Sequence, residues 1–536
     1  MKVLLIQPPI EDFYHTRIRA YPLALLYLAT RIKDVCDVSV VDLQNIGKPK
    51  VIPEHPFPEL NGYYRDDVHT PLSLFRRYYR FGAGDDEIKK AIQGNRPDIV
   101  AISSLFTAYA EEAAEIAKTA KAVNKGIITI LGGTHPTVFP ELTLNNPDVD
   151  YVIRGEGETP FFELISSLQR SGKQGIEGIE GVCFKKEDGR FHISEIHIEK
   201  DIDSFPDRRF LRAEDYRINK KSYTFFLTSR GCPFNCAFCG KPPVPYRRRS
   251  INSIEAELSD CINLDIRAID FEDDMLTYDT NFFNRVLDVL TGRGLTLSAM
   301  NGIYAETLDK GTLGRMYDAG FRRLNFSLVD ISSSVVKMQK RHLPSKFLQL
   351  IPYLESSPFL VETHFIIGLP EQQPEDVIET LVFLMGIRLL PGPSIFYLAP
   401  GSLLFDKLAG DGTDKRLKFL RSSSMMEINP LFPRDAIYTF MKLTRFINFI
   451  KLCLDREPSL KRLSDLPDVL NSGKAQIDKH IFTTLLHEKS LLCYDTKKNA
   501  FIEEPQDRDI LRAFFRQAHG ATVKGYKTMN SLVVDV

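Results

Sequence analysis

Short apolar runs alternate with helical periodicity through the first part of the chain. KVLLIQ predicts a strand, and YPLALLYLATRIKD after it carries apolar residues at helical spacing. VSVVDL predicts the next strand. A long polar, Pro-rich stretch intervenes before DIVAISS and the helix AYAEEAAEIAKTAKAVN, where Ala113, Ile116, Ala117 and Ala120 line one face. GIITILGG and DYVIRGEGE complete the series. Buried strands alternating with helices predict a parallel sheet covered on both faces, a doubly wound, Rossmann-like α/β domain over residues 1–165. GVCFKKEDGRFHISEI has the rhythm of a hairpin about Asp188-Gly189 and reads as part of a linker, 166–221. From Ser222 the alternation resumes in YTFFLT, IRAIDFEDD, LTLSAMNG, RRLNFSLVD, VETHFIIGLP and SIFYLAP. Six strand–helix units predict a full or partial (β/α)6 barrel over 222–402, with working groups at the C-terminal strand ends. Residues 403–536 read as mainly helical. There DAIYTFMKLTRFINFIKLCLD is a wide apolar face interrupted by Lys442, Arg445 and Lys451, the pattern of a core helix or of a pocket wall.

Composition narrows the class. The 536 residues include 69 basic and 70 acidic side chains, a formal charge of -1, which gives no reason to expect nucleic acid. Arg247-Arg248-Arg249 reads as solvent-facing or as closing a cofactor site. No apolar run reaches the ~18 residues that span a bilayer, and MKVLLIQPPIEDF is too short for a signal peptide, so the expectation is a cytoplasmic protein without a transmembrane segment. Eight cysteines in such a length are no disulfide framework. Cys36, Cys183, Cys261, Cys453 and Cys493 are scattered and read as small buried hydrophobes, Cys261 on a helix face with Ile254, Leu258 and Ile262.

The other three carry chemistry. TSRGCPFNCAFCGKPP places Cys232, Cys236 and Cys239 at C-x3-C-x2-C directly after the first barrel strand. Thiolates suit iron–sulfur clusters, which normally take four. Three leave one iron of a four-iron cluster without a protein ligand, and a structural zinc site lacks its fourth ligand nearby. With Phe238 before the last cysteine, the segment from Ser222 to Ser402 resembles the radical S-adenosylmethionine (SAM) superfamily. The resemblance implies a [4Fe-4S] cluster on Cys232, Cys236 and Cys239 whose open iron chelates SAM, and reductive cleavage of SAM to a 5′-deoxyadenosyl radical. It also implies SAM contacts from Phe238, from Glu272, Asp273 and Asp274 of FEDD, from Asn301, and from Ile366, Ile367 and Gly368. Many relatives carry a glutamate for the ribose where this chain has Val329. Ser327 or Asp330 are the expected substitutes.

The first domain holds a second set of signals. Gly132-Gly133 after a strand lets a ligand approach the backbone, and Gly155-Glu156-Gly157-Glu158 follows the next strand. Both loops, with Pro9, Ser104 and Thr107, fall at the C-terminal edge of the predicted sheet, where open α/β sheets bind ligands. Together with the cysteine loop, GGTHPT and RGEGET resemble the cobalamin-binding domain of cobalamin-dependent radical SAM enzymes. That resemblance implies cobalamin contacts from Pro9, Ser104, Thr107, Gly132, Gly133, Thr134, His135, Gly155, Glu156, Gly157 and Glu158. The pattern D-x-H-x-x-G that supplies a histidine to cobalt elsewhere is missing. Asp42 to Gly47 come near it, but Gln44 stands at the histidine place.

Two reactions stay open at this stage. One is cobalamin-dependent methyl transfer to an unactivated carbon. The other is cyclisation, carbon–carbon coupling or rearrangement without methyl transfer, on a domain that retains the fold but not the corrin. Methylthiolation of transfer RNA requires further cluster cysteines in the first domain, which has only Cys36 there. The expected partners are a small-molecule, lipid or peptide substrate and an electron donor such as flavodoxin or ferredoxin.

Overall fold

The computed structural model describes every residue except 15–20, 171, 173, 242–243, 342–343, 411–412 and 471–472, and only the backbone of 413–415. The first sheet contains β1 (Lys2–Gln7), β2 (Asp37–Asp42), β3 (Ile99–Ser103), β4 (Ile128–Gly132), β5 (Tyr151–Ile153), β6 (Val182–Lys185) and β7 (Phe191–His192). Their spatial order is β7-β6-β5-β4-β3-β1-β2. Strands β1 to β5 run parallel, and the order reverses between β1 and β3. That reversal is the switch point at which such sheets open a ligand crevice. Alternation along β1 explains the layers. Leu4 and Ile6 enter one core with Ile88, Ile92, Ala113 and Ile116, while Val3 and Leu5 enter the other with Leu25, Ala29 and Phe161. The Asp188-Gly189 hairpin pairs antiparallel with β5 through β6. It therefore extends this sheet and is no free linker.

The second sheet contains β8 (Arg217–Ile218), β9 (Lys221–Phe226), β12 (Ala268–Phe271), β13 (Thr296–Ile303), β14 (Phe321–Val329), β15 (Leu360–Ile367) and β16 (Leu390–Ile395), adjacent in that order. A small hairpin, β10 (Ser229–Arg230) and β11 (Arg247–Arg248), brackets the cysteine loop. The six strands from β9 to β16 are parallel, with helices between successive strands, so the sheet is a partial barrel. One boundary differs from the sequence reading. The last strand is Leu390–Ile395, not the run SIFYLAP. Pro391 and Pro393 argue against a strand by composition, yet β16 lies at the sheet edge, where a missing N–H costs no ladder bond.

The C-terminal helix Arg434–Leu454 is a core helix, and its interrupting cations have specific fates. Lys442 forms a buried ion pair with Glu504. The Lys451 ammonium donates to the carbonyls of Met385, Ile387 and Lys524, and burial pushes its pKa down to about 7. The Pro-rich stretch after β2 is structured too. Phe57, Leu60, Tyr64, Leu72 and Tyr78 join Phe13 in the barrel's own core, and Val68–His69 pairs with the strand Leu492–Asp495. Long-range aromatic packing of this kind has no periodicity for a sequence to display. Among the described residues no helix is long and apolar enough to cross a membrane.

Candidate active site

The cysteine loop leaves β10 and is pinned on several sides. Gly231 has φ 89°, and a Cβ there would lie 2.4 Å from the Pro245 carbonyl oxygen. At Gly240 a Cβ would lie 2.5 Å from the Pro400 carbonyl oxygen, so both glycines are required by close approach. The Ala237 N–H donates to the Gln339 carbonyl (3.1 Å), and the Ala237 carbonyl accepts from Leu404 (3.0 Å). All three cysteines are free; Cys236 is buried and the others are half-buried. The Cys232 thiol is pushed above its ordinary value, first by burial and then by Asp274, Cys236 and Cys239 nearby. The donor set fits a cluster. Cys232, Cys236 and Cys239 are three free thiols on one loop, and a four-iron cluster takes thiolate ligands, one to an iron.

Two cations border the loop that the sequence did not single out. The Arg341 guanidinium lies 3.7 Å from the Cys236 sulfur, donates to the Ser327 carbonyl (3.3 Å) and sits over the Tyr304 ring. Lys241 pairs with Asp274. Neither occupies a recognisable motif; each is simply a basic residue following a loop or helix.

The expected SAM-side residues divide into two groups. Phe238 and Ile366 pack in one apolar cluster with Ala237, Val329, Leu369 and Phe396. Asn301 donates to the carbonyls of Glu272 and Asp273 (3.0 and 3.2 Å), which ties two strand ends together. Ile367 instead packs outward against the helices. On β15 the inward residue is its neighbour, since a one-residue step changes face. The Asp273 Oδ1 accepts from the backbone and hydroxyls of Thr228 and Ser229, all within 2.9 Å, and burial pushes its pKa up to about 6. Asp330 is likewise committed. It accepts from Ser332, Gln372 and Thr380, and burial raises it to about 6. It is thus no free ribose carboxylate. Gly368 (φ 86°) donates its N–H to the Gln372 side chain. Val329 holds φ 71°, a left-handed conformation unusual for a β-branched residue, at a bulge between β14 and β15. Ser327 stands level with His364 in that pairing, and across β16 an added Cβ at Gly392 would overlap the His364 ring, 2.0 Å from its Cδ2. Gly392 therefore makes room for that imidazole, which burial holds below its ordinary pKa.

At the C-terminal edge of the first sheet Ser104 meets Gly132 to His135, its N–H donating to the Gly132 carbonyl (2.7 Å) and its carbonyl accepting from His135 (3.2 Å), while Pro9 and Thr107 lie in the segments that follow β1 and β3. Gly133 has φ 119°, and a Cβ would meet the Ser104 carbonyl oxygen at 2.6 Å. The Ser104 hydroxyl and the His135 Nδ1 are buried without a hydrogen-bond partner. Orphaned polar atoms at a ligand-binding edge are what a bound polar group would satisfy. Burial pushes His135 down to about 4, so its ring is neutral at ordinary pH. Leu105 and Phe106 expose 45% and 49% of their surface beside it, an apolar face that fits a large macrocycle.

Comparison with known proteins is decisive here. Residues 76–165 match the B12 binding domain, and residues 226–384 match the radical SAM superfamily. The chain therefore carries a B12-binding domain followed by a radical SAM domain. It is 26% identical over 396 residues to the uncharacterized methyltransferase PH0819 of Pyrococcus horikoshii, covering 72% of this chain and 77% of that one. It is 27% identical over 411 residues to the cytidylyl-2-hydroxyethylphosphonate methyltransferase of Streptomyces wedmorensis, covering 69% and 73%. In fold it is similar to the radical SAM methyltransferase TsrM from Kitasatospora setae, solved with cobalamin and a [4Fe-4S] cluster (TM-score 0.57, 16% identity, 76% of this chain and 74% of that one). OxsB, solved with aqua-cobalamin and SAM, covers 96% of this chain and 75% of its own (TM-score 0.54, 14% identity).

The RGEGET loop is tied to the hairpin that bears the cysteine loop. Glu158 accepts from Arg230 at 2.7 Å, and Glu156 receives both arms of Arg247 at 2.7 and 2.9 Å. Burial alone would raise the Glu156 carboxyl, but Arg247 and Arg230 overcome it and hold it below the usual carboxylate range. Gly155 (φ 87°) faces the His197 carbonyl, where a Cβ would sit at 2.2 Å, and Gly157 packs against Leu28 and Ile153. These four residues pack and form a clamp between the B12-binding domain and the hairpin that bears the cysteine loop. Arg248 pairs with Asp279, and Arg249 with Glu257, so none of the three consecutive arginines is a free surface charge. A second link runs through rings. His135 contacts Phe139 at 5.6 Å, Phe139 contacts Phe405 at 5.8 Å, and Leu404 bonds the cysteine loop.

Proposed function

We propose that this chain is a cobalamin-dependent radical SAM methyltransferase that acts on an unactivated carbon of a small molecule. The observation that carries the reading is the double clamp, Arg230–Glu158 and Arg247–Glu156, which fixes the cysteine loop against the B12-binding domain. Cys232, Cys236 and Cys239 would hold the cluster, and the Ser104 and Gly132–His135 edge would hold the corrin. When bound, the cluster with SAM supplies hydrogen abstraction, and the corrin supplies the methyl group.

The chain's own residues perform the rest. Arg341 places positive charge beside Cys236, and Lys241 neutralises Asp274 beside the same loop. The apolar cluster of Ala237, Phe238, Ile366 and Phe396 excludes water from the side of the loop opposite the solvent. Neutral His135 offers the corrin edge a hydrogen bond without adding charge. An outside electron donor such as flavodoxin or ferredoxin completes the requirement. Relatives named for methyl transfer to small molecules, such as the phosphonate enzyme of Streptomyces wedmorensis, support a small-molecule substrate.

Anaerobic reconstitution with iron, sulfide and cobalamin tests this. The expected content is about four irons and about one corrin per chain. Cys236→Ala should lose most of the iron and keep the corrin. A wild-type protein that holds the cluster but never a corrin would leave only the reaction without methyl transfer.

A further inference from the structure

One strongly charged cavity is unused by this scheme. It has a volume of about 520 Å³ and lies between the segment that follows β2 and the helix Arg434–Leu454. That volume falls within the roughly 300–1,000 Å³ of small-molecule sites. Its lining is Asp66, Ser73, Arg76, Arg77, Tyr79 and Arg445. Three guanidinium groups thus face one carboxylate, and that carboxylate is already engaged by Arg77 at 2.8 Å. The Arg76 Nε reaches only the Ser73 hydroxyl, at 3.2 Å. Among the described residues no carboxylate pairs with Arg76 or Arg445. Arg445 is exposed, so its guanidinium is open to an anion from solvent. Three guanidinium groups with one carboxylate among them leave the cavity with a net positive charge that an anionic ligand would offset.

The arginines are also held in place. Phe75, beside Arg76, packs edge-on against Tyr14 at 5.1 Å and Tyr64 at 5.3 Å. Arg445 stands between the buried Thr444 and Phe446. Tyr14 follows the short strand Ile10–Asp12, which pairs with Tyr78–Phe81 beside the cavity-lining Tyr79.

We propose that this cavity binds the phosphate- or phosphonate-bearing part of the small-molecule substrate. Guanidinium forks converging from two elements, with hydroxyls of Ser73 and Tyr79 among them, suit a tetrahedral dianion better than a planar carboxylate, which one fork would satisfy. The word substrate rests on the function proposed above; the anion site stands on the cavity alone.

Calorimetry with inorganic pyrophosphate on the reconstituted full chain tests it without turnover. Saturable binding is expected with Kd below about 1 mM, weakening as salt is added. Arg445→Gln and Arg76→Gln should each weaken it about tenfold or more while iron and corrin contents stay at wild-type levels. Arg293→Gln, which removes an ion pair with Glu255 elsewhere on the surface, should change nothing. Three results would overturn the proposal: no binding to the wild type, wild-type affinity in both variants, or tighter binding of succinate than of pyrophosphate. A protein that binds pyrophosphate but no corrin would reject the methyl-transfer reading and leave the anion site standing.

Discussion

The clamp between the two domains makes the sharpest demand on experiment. Arg230 and Glu158 expose only 14% and 13% of their side chains, and the Arg230 guanidinium also lies 4.7 Å from the Tyr27 ring centroid. Burial alone would lower the Arg230 pKa, but Glu158, Tyr27 and Glu156 hold it above its ordinary value. Removing one partner of a fully buried pair costs about 3–5 kcal/mol, because the other charge is left uncompensated. The residual exposure here brings Arg230→Gln down to about 2–3 kcal/mol. Glu158→Gln, which keeps one hydrogen-bond acceptor, should cost about 1–2 kcal/mol. The double variant should fall short of the sum by about 1–2 kcal/mol, the coupling expected of a direct contact. Denaturant unfolding gives the energies, and hydrogen exchange locates them. Protection should drop together in 155–160 and 229–248 while the barrel strands keep theirs. In the catalytic assay the variants should still cleave SAM but yield less S-adenosylhomocysteine per 5′-deoxyadenosine. A coupling within about 0.3 kcal/mol of zero, the scatter of independent sites, would refute the clamp.

Three further outcomes follow from individual residues. Gly133→Ala, whose Cβ would press on the Ser104 carbonyl, should abolish corrin retention while iron content stays at the wild-type level; corrin absorbance and iron assay check it. Glu257→Gln removes the carboxylate that pairs with both Arg208 and Arg249, leaves two buried charges uncompensated and should destabilise by about 3 kcal/mol in urea. Glu112 has a buried Oε2 without a partner, and burial pushes its carboxyl up to about 7. Because its folded pKa is raised, the stability it contributes is full below its unfolded pKa near 4.3 and is lost as pH rises through about 7. Glu112→Gln should therefore raise the melting temperature at pH 8 and have little effect at pH 4, read by calorimetric scans at both.

Much of this was legible in the sequence, for a physical reason. Strand–helix alternation is local, so the strands of both sheets stand in the runs KVLLIQ to DYVIRG and YTFFLT to VETHFII. The cysteine loop is local as well, with its chemistry packed into C-x3-C-x2-C. What escaped depends on distance along the chain. Arg230 meets Glu158 across 72 residues, and Arg247 meets Glu156 across 91, and no window of sequence couples them. The hold of the RGEGET glutamates on these arginines was therefore not legible. Ile366, Ile367 and Gly368 were read together, because a wholly apolar pair hides which member faces the site; the strand's alternation puts Ile366 beside Phe238 and Ile367 in the other core. Asp330 was expected near a ribose, and only the fold reveals that Gln372 and Thr380 already occupy it. The strand Leu390–Ile395 was obscured by prolines that only an edge position tolerates.

The central claim is that a cluster on Cys232, Cys236 and Cys239 and a corrin at the Ser104–His135 edge work on one substrate. Its most direct measurement is the pair of SAM-derived products formed by the fully reconstituted protein under a low-potential reductant. The account predicts S-adenosylhomocysteine and 5′-deoxyadenosine together, with the former disappearing when corrin is withheld. Formation of 5′-deoxyadenosine with no S-adenosylhomocysteine, in protein that carries both cofactors, would contradict it.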